Sequence, residues 1–307
     1  MRRPRRAASV RTGCSACWRR RRWAGWPCRF PPRRRWWRRP RRRCSPSPLV
    51  EALLAARLLA GPRPDLAARI VAGEALCSIV GAGTLRAGPA GVSGVVGQVP
   101  LGQKAQWLLA PLEGGGAVLL DLAAPGAEVV EEPGLDLERP AARVTLRDAA
   151  AEMLPEAGWA QLCADALLLR AAGALGAAEH CMERAMAHLT GRKQFGRTLV
   201  SFQGLRFELA RHKLALEGAR HALAHALATA AQDPRGESVA RLVCRATAAE
   251  AAPLIVEGAI QLHGGMGFTW DLGLHRQLRR VREAAAALDA VASRAALADR
   301  LDQAWSA

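Results

Sequence analysis

From about residue 150 to its end, the chain repeats apolar residues at steps of three, four and seven. After Ser201 they fall at Phe202, Leu205, Leu209, Leu216, Ala219, Leu223 and Leu227, one face of a helix, while Arg206, Arg211, Lys213, Glu217 and Arg220 take other positions. Similar stretches cover about 159–190, the segment from Asp233-Pro234 to Gly264-Gly265, and roughly 276–304. Four long helices in sequence predict an antiparallel bundle over 151–307. Upstream the period changes. Residues 76–150 hold short β-type runs such as "CSIVG", "GVVGQV", "AVLLDL" and "ARVTL", separated by Gly-rich turns. They predict a small antiparallel β domain with a hairpin at Gly114-Gly115-Gly116. Residues 49–75 read as two short amphipathic helices broken at Gly61-Pro62-Arg63-Pro64. The fold class is therefore α+β. No apolar run reaches membrane-spanning length free of a charge or a Gly/Pro break, which predicts a soluble protein.

Composition changes this picture only at the amino terminus. The 307 residues carry a formal charge of +17, but residues 1–48 alone hold 18 Arg and no acidic residue, so the remainder nets −1. A basic nucleic-acid-binding function therefore depends wholly on residues 1–48. That leader also has five of the nine Trp and four of the eight Cys, without hydrophobic period. Arg, Pro, Trp and Cys are what GC-rich coding DNA yields when read in a wrong frame, and the leader reads best as that. A disordered tail, a transit peptide or an RNA-binding arm are the alternatives. Cys14, Cys17, Cys28 and Cys44 fit no common zinc spacing. The body's Cys77, Cys163, Cys181 and Cys244 are scattered, as for reduced thiols in a cytoplasmic protein.

Two stretches carry candidate chemistry. In "LTGRKQFGRTLVSFQ", Arg192 offers a fork of donors suited to phosphate, and Gly196 lets backbone approach a ligand. Ser201 can cap the following helix, whose amide end favours an anion. Phe195 can cover a ring and Gln203 can hydrogen-bond one. The set suits a dinucleotide; a solvated turn between helices is the alternative. In "AIQLHGGMGFTWDLGLHRQLRR", Gly264 and Gly265 can bring backbone amides to a phosphate or ribose, with Gln261 beside them. The alternative there is a helix cap and tight loop. Gly97-x-x-x-x-Gly102-Gln103-Lys104 is a near miss of a phosphate loop and reads as a strand connection. The seven histidines show no metal-ligand grouping, so no metal site is expected.

Taken as a pair, Arg192-x-Gln194-Phe195-Gly196 with Phe202-Gln203, and Gln261-x-x-Gly264-Gly265-x-Gly267-Phe268-Thr269, resemble the two signatures of the acyl-CoA dehydrogenase family. The resemblance covers about 49–304 and is strongest after 165. "GFTWDLGLH" and the following Arg pair look most like small actinobacterial-type subunits, many acting in steroid or fatty acyl-CoA breakdown. It implies remnant amino-terminal helices over 49–75, a small antiparallel β domain and a carboxyl-terminal four-helix bundle that drives homo- or hetero-oligomerisation. It implies FAD, with Arg192 on the pyrophosphate of a neighbouring subunit's flavin. Gln194, Phe195 and Gln203 are then on the adenosine half, with Gln261, Gly264 and Gly265 lining the same moiety. The implied reaction is α,β-desaturation of an acyl-CoA, with electrons leaving to an electron-transfer flavoprotein.

The resemblance is incomplete where the reaction needs its base. The family's usual Glu position falls on Leu288, beside Asp289, and the alternative position falls near Ala166, beside Asp165. Asp289 and Asp165 are thus the candidate bases, each one residue out of register on a helix that turns about 100° per residue. The flavin-binding Thr-Glu-Pro stretch is replaced by "GEALCSIVGAGTLRAG", and most of the amino-terminal helical domain is missing where the leader sits. An impaired partner in a heteromeric dehydrogenase is therefore the rival to a catalytic subunit.

Overall fold

The computed structural model describes residues 48–232 and 238–305. The leader of residues 1–47, with its candidate zinc and nucleic-acid functions, and the Asp233-Pro234 boundary lie outside the described residues.

Two helices open the described chain, α1 (Leu49–Leu59) and α2 (Pro64–Ala72). Proline stands at the start of α2, and Gly73 ends it at φ +79° with its N–H on the Arg69 and Ile70 carbonyls. Eight strands follow: β1 (Cys77–Ile79), β2 (Thr84–Gly88), β3 (Gly91–Pro100), β4 (Trp107–Pro111), β5 (Ala117–Asp121), β6 (Ala127–Glu132), β7 (Ala141–Ala149) and β8 (Ala151–Leu154). They form two four-stranded sheets, ordered β1-β4-β5-β8 and β2-β3-β7-β6. The predicted hairpin joins β4 to β5, and Gly114, Gly115 and Gly116 all take positive φ there. Gly102 to Lys104 connect β3 to β4, as the strand-connection reading expected. The sheets are not wholly antiparallel, for β1 pairs with β4 in parallel. The β2–β3 excursion into the other sheet lets the chain re-enter beside β1 in the same direction.

Burial explains why β4 and β5 read as continuous apolar runs. One face of their sheet, with Cys77, Ile79, Leu109 and Leu119, packs on Leu54, Leu59, Leu66 and Ile70 of α1 and α2. The other face, with Leu108, Ala110, Val118 and Leu120, packs on Leu85, Val96, Val144 and Leu146 of the second sheet. A strand covered on both faces loses alternation. Free thiols sit in these and the helical cores; burial pushes Cys77 and Cys244 up to about 12 and Cys163 up to about 11, so they are inert as nucleophiles.

The helical half comprises α3 (Glu156–Gly191), α4 (Gln203–Thr229), α5 (Val239–Leu262), α6 (Leu274–Leu288) and α7 (Ala290–Trp305). Helix α5 lies at the centre, with Cys244, Ala248, Ala252, Ile255, Val256 and Ala259 buried against α3, α4 and α6. Over Gly158–Gly191, α3 is long and apolar enough, by length and composition alone, to cross a membrane, although Asp165, Arg170 and Gly173 interrupt its apolar run. Its Leu168, Ala171, Leu175, Ala178, Cys181, Ala185 and Leu189 face the bundle core instead. The single last helix expected over 276–304 is two helices. Asp289, at φ +48°, breaks the chain between α6 and α7. The segment 133–140 straps the halves together: Glu138 pairs with Arg276, Asp136 with Arg280 at 2.8 Å, and Arg139 with Glu51 of α1.

Candidate functional site

Helices α3 and α5 end at the same end of the bundle, and each end runs into one of the candidate loops. At the end of α3, the Arg192 N–H donates to the His188 carbonyl at 2.9 Å, and the Leu199 N–H donates to the Arg192 carbonyl at 2.9 Å. Between them stands a two-residue hairpin, β9 (Lys193–Gln194) against β10 (Arg197–Thr198). Its turn residues Phe195 (φ +53°) and Gly196 (φ +77°) both lie in the left-handed region, as a type I′ turn requires. Glycine adopts this freely; the phenylalanine sits there at a strain of about 1–2 kcal/mol. Phe195 is 89% exposed, so burial among the described residues does not offset that strain. The ring stands edge-on to Phe202, centroids 6.3 Å apart, and the Arg197 guanidinium lies 4.0 Å over Phe202.

The chain then makes a 3-10 turn, Leu199–Ser201, and enters α4 with Phe202 as N-cap. Ser201 does not cap the helix, contrary to the sequence expectation. Its Oγ donates to the Thr198 carbonyl at 2.7 Å, so the hydroxyl is spent on the preceding turn. No side chain caps α4, which leaves the positive end of a 27-residue helix beside the hairpin.

The second loop begins at His263 and makes a 3-10 turn, Gly264–Phe268. Gly264 takes φ +62° and ends α5 in the left-handed conformation. A Cβ built on Gly264 or on Gly265 meets nothing within 4 Å. Gly267 is different, for a Cβ there would overlap the Ile260 carbonyl; the third glycine of the motif is a packing requirement that the sequence reading did not separate from the other two. Thr269 Oγ1 donates to the Met266 carbonyl at 2.8 Å and closes the turn.

The two loops are neighbours. The rings of His188 and His263 stack with centroids 4.7 Å apart, tying the last turn of α3 to the end of α5. Arg192, Gln194, Phe195, Gln203, Gln261, Gly264 and Gly265 are all exposed on this end. Arg192 makes no ion pair among the described residues, and no carboxylate lies in the sequence between Glu183 and Glu208. Three cations (Arg192, Lys193 and Arg197), an uncapped helix end and open glycine backbone form a donor set that fits an anionic diphosphate carrying an aromatic base.

The candidate bases are placed otherwise. Asp165 is 3% exposed and held between Arg57 and Arg241, the latter at 3.1 Å. Its two oxygens are engaged by two guanidinium groups, so it is a structural ion-pair centre. Asp289 is exposed at the α6–α7 break, where its Oδ1 accepts the Ala292 N–H at 3.0 Å. Leu288, at the position expected for a glutamate, is fully buried, and its carbonyl accepts from Arg245 Nε at 3.1 Å and Ser293 Oγ at 3.3 Å. Among the described residues no group of three or more His, Cys, Asp or Glu could hold a metal ion.

This layered architecture, with paired sheets, a helical bundle and two exposed loops at one bundle end, defines an acyl-CoA dehydrogenase fold. Residues 166–287 match the family model for the acyl-CoA dehydrogenase C-terminal domain, and this part of the chain is such a domain. Acyl-CoA dehydrogenase FadE34 of Mycobacterium tuberculosis (strain ATCC 25618 / H37Rv) is 32% identical over 241 residues, covering 76% of this chain. The chain spans only 33% of the length of that relative. Among solved structures, a Tcur3481-Tcur3483 steroid ACAD G363A variant superimposes with a TM-score of 0.75 at 26% identity, over 84% of this chain and 76% of that one. The ChsE4-ChsE5 complex from Mycobacterium tuberculosis shares the fold at a TM-score of 0.72 and 23% identity, over 83% and 76% of the two chains.

Proposed function

We propose that this chain is a flavin-holding subunit of an FAD-dependent acyl-CoA dehydrogenase, acting in an oligomer built through its helical bundle. The observation that carries the reading is the adjacency of two exposed, cation- and glycine-rich loops across the His188–His263 stack. Arg192 would pair with the FAD diphosphate, and Gln194, Phe195 and Gln203 would hold the adenosine half. Gln261, Gly264 and Gly265 would approach the same moiety from the second loop. FAD supplies the hydride acceptor for α,β-desaturation of an acyl-CoA thioester, and an electron-transfer flavoprotein is the electron acceptor we infer. The exposed, strained Phe195 supports a site completed by a second subunit, because the edge of Phe202 leaves its ring 89% exposed among the described residues. We place the protein in the cytoplasm, in keeping with its free buried thiols.

The state of the carboxylates favours a specific version, a heteromer whose other subunit carries the base. Asp165 is sequestered by two arginines, Asp289 caps a helix, and the expected base position is a buried leucine. The ChsE4-ChsE5 structure, a complex of two differently named chains, is consistent with this arrangement.

Expression alone and with candidate partner dehydrogenase subunits tests both versions. Protein that is yellow and oxidises acyl-CoA with an artificial acceptor by itself supports a self-sufficient enzyme; protein that gains flavin and activity only with a partner supports the heteromer. Arg192→Ala is expected to weaken FAD retention about tenfold to a hundredfold, the loss of one or two hydrogen bonds to a charged group. Thermal stability of the flavin-free protein should stay unchanged, since Arg192 is exposed. Unaltered FAD content in the variant would count against the site.

A further inference from the structure

Two histidines stand directly behind both loops, and each is built into one of them. His188 belongs to the last turn of α3, and its carbonyl accepts the Arg192 N–H that starts the hairpin. His263 closes α5 immediately before Gly264; it is buried, and its Nδ1 bonds the Ala259 carbonyl at 2.7 Å. A carbonyl only accepts, so Nδ1 carries the proton and Nε2 is the basic nitrogen. The rings stack 4.7 Å apart with their planes 28° from parallel. Among the described residues no other ring pair spans the two loops.

We propose that the stacked His188–His263 pair is a positioning element of the nucleotide site, joining the Arg192 hairpin to the Gly264 loop and supplying a proton-dependent positive charge behind Arg192. The proposal rests on the cofactor reading above. Arg192, one turn after His188, is the cation that acts on its ring, with Arg184 one turn before it on α3, while the carboxylates that follow in sequence are Glu208 on α4 and Asp271 beyond the second loop, and Glu183 precedes the pair on α3. Residues 264–269 of the second loop have no ionisable side chain, and residues 189–207 hold no carboxylate. In the free chain, burial first, then His263 and Arg192, hold the His188 imidazole below the usual histidine range. A diphosphate paired with Arg192 changes the sign of that field and favours the imidazolium. Linkage is reciprocal, so a site that takes up a proton on binding binds more tightly at lower pH. The gain begins as pH falls through the bound-state pKa and levels off below that of the free chain. Each unit between the two gives about tenfold in affinity.

The test measures FAD dissociation constants from about pH 8 down to about pH 5.5, the histidine range, on the full-length chain in the assembly that retains flavin. Affinity of the unaltered protein is expected to rise about tenfold on that descent, for a bound-state pKa one unit above the free one. His188→Phe keeps an aromatic partner for His263; it should still bind FAD, with a flat pH profile. His188→Ala removes the stack and should weaken binding at every pH. A His188→Phe profile as steep as that of the unaltered protein, or a His188→Ala variant with full affinity, overturns the proposal. Should the variants fail to fold, proton NMR of the His188 ring in the unaltered protein decides instead. Its titration point is expected to move up when FAD is added, and an unmoved point overturns the proposal. Absence of FAD binding at any pH would overturn the cofactor reading itself, a result distinct from FAD binding that ignores His188.

Discussion

Asp165→Ala is expected to destabilise the chain by about 3–5 kcal/mol, because it removes the carboxylate between two guanidinium groups in a buried setting. Arg241 is 2% exposed and Asp165 3%, so neither can regain hydration without opening the packing of α3 on α5. Arg57, on α1, is half exposed and can turn to water when its partner goes. The damage should therefore concentrate on Arg241. Scanning calorimetry should register a fall of roughly 10 °C in Tm, at about 2–4 °C per kcal/mol for a domain of this size. Asp165→Leu combined with Arg241→Met should recover most of the loss, since a buried pair replaced by apolar groups of similar volume is often near neutral. A catalytic role makes the opposite forecast: Asp165→Asn would abolish turnover while leaving Tm in place. A stable, inactive Asp165→Asn protein would return this residue to the list of bases.

The same residue marks where sequence reading stops. The spacing from Asp165 to Arg241 is 76 residues and to Arg57 is 108, so no local pattern announces the triad. What was legible is what period and composition encode. The steps of three and four placed α3 and α4, and Gly264-Gly265 placed the end of α5. Gly114-Gly115-Gly116 placed the β4–β5 hairpin. The loops at Arg192 and Gln261 were legible through residue type at fixed spacing, and the structure brings them side by side. Three further features were not legible. The parallel pairing of β1 with β4 depends on a crossover that has no local signature. The break at Asp289 interrupts an Ala- and Leu-rich run with good helix propensity throughout. Its positive φ is compatible with the short polar side chain, which then caps α7. The role of Ser201 was misplaced because the chain inserts a 3-10 turn before α4, moving the N-cap to Phe202.

Gly258→Ala is expected to cost about 1–3 kcal/mol, the usual range for forcing one methyl into a close-packed core. A Cβ at this position in α5 would overlap the His212 ring, which α4 places in the notch left by the glycine. His212 is 2% exposed and cannot retreat into water without opening the α4–α5 contact. Glu208 lies 3.8 Å from its Nε2. Burial holds the imidazole below the usual histidine range, with Arg211 adding to that shift and Glu208 opposing it. A depressed folded-state value means that the neutral ring stabilises the fold above about pH 6.5, and that this contribution fades as pH falls below it. His212→Ala alone leaves a cavity and should also destabilise. Gly258→Ala with His212→Ala together should be less damaging than the two added, because the new methyl enters the space the ring vacates. Urea unfolding at neutral pH and again near pH 5 measures all four corners of this cycle. The double variant should lose less stability on acidification than the parent, since the ring whose protonation is resisted is gone. Strict additivity of the two substitutions, or an unchanged response to acid, would mean that the ring and the glycine do not hold α4 on α5. The Gln203 end of α4 would then need another support to stay beside the Arg192 hairpin.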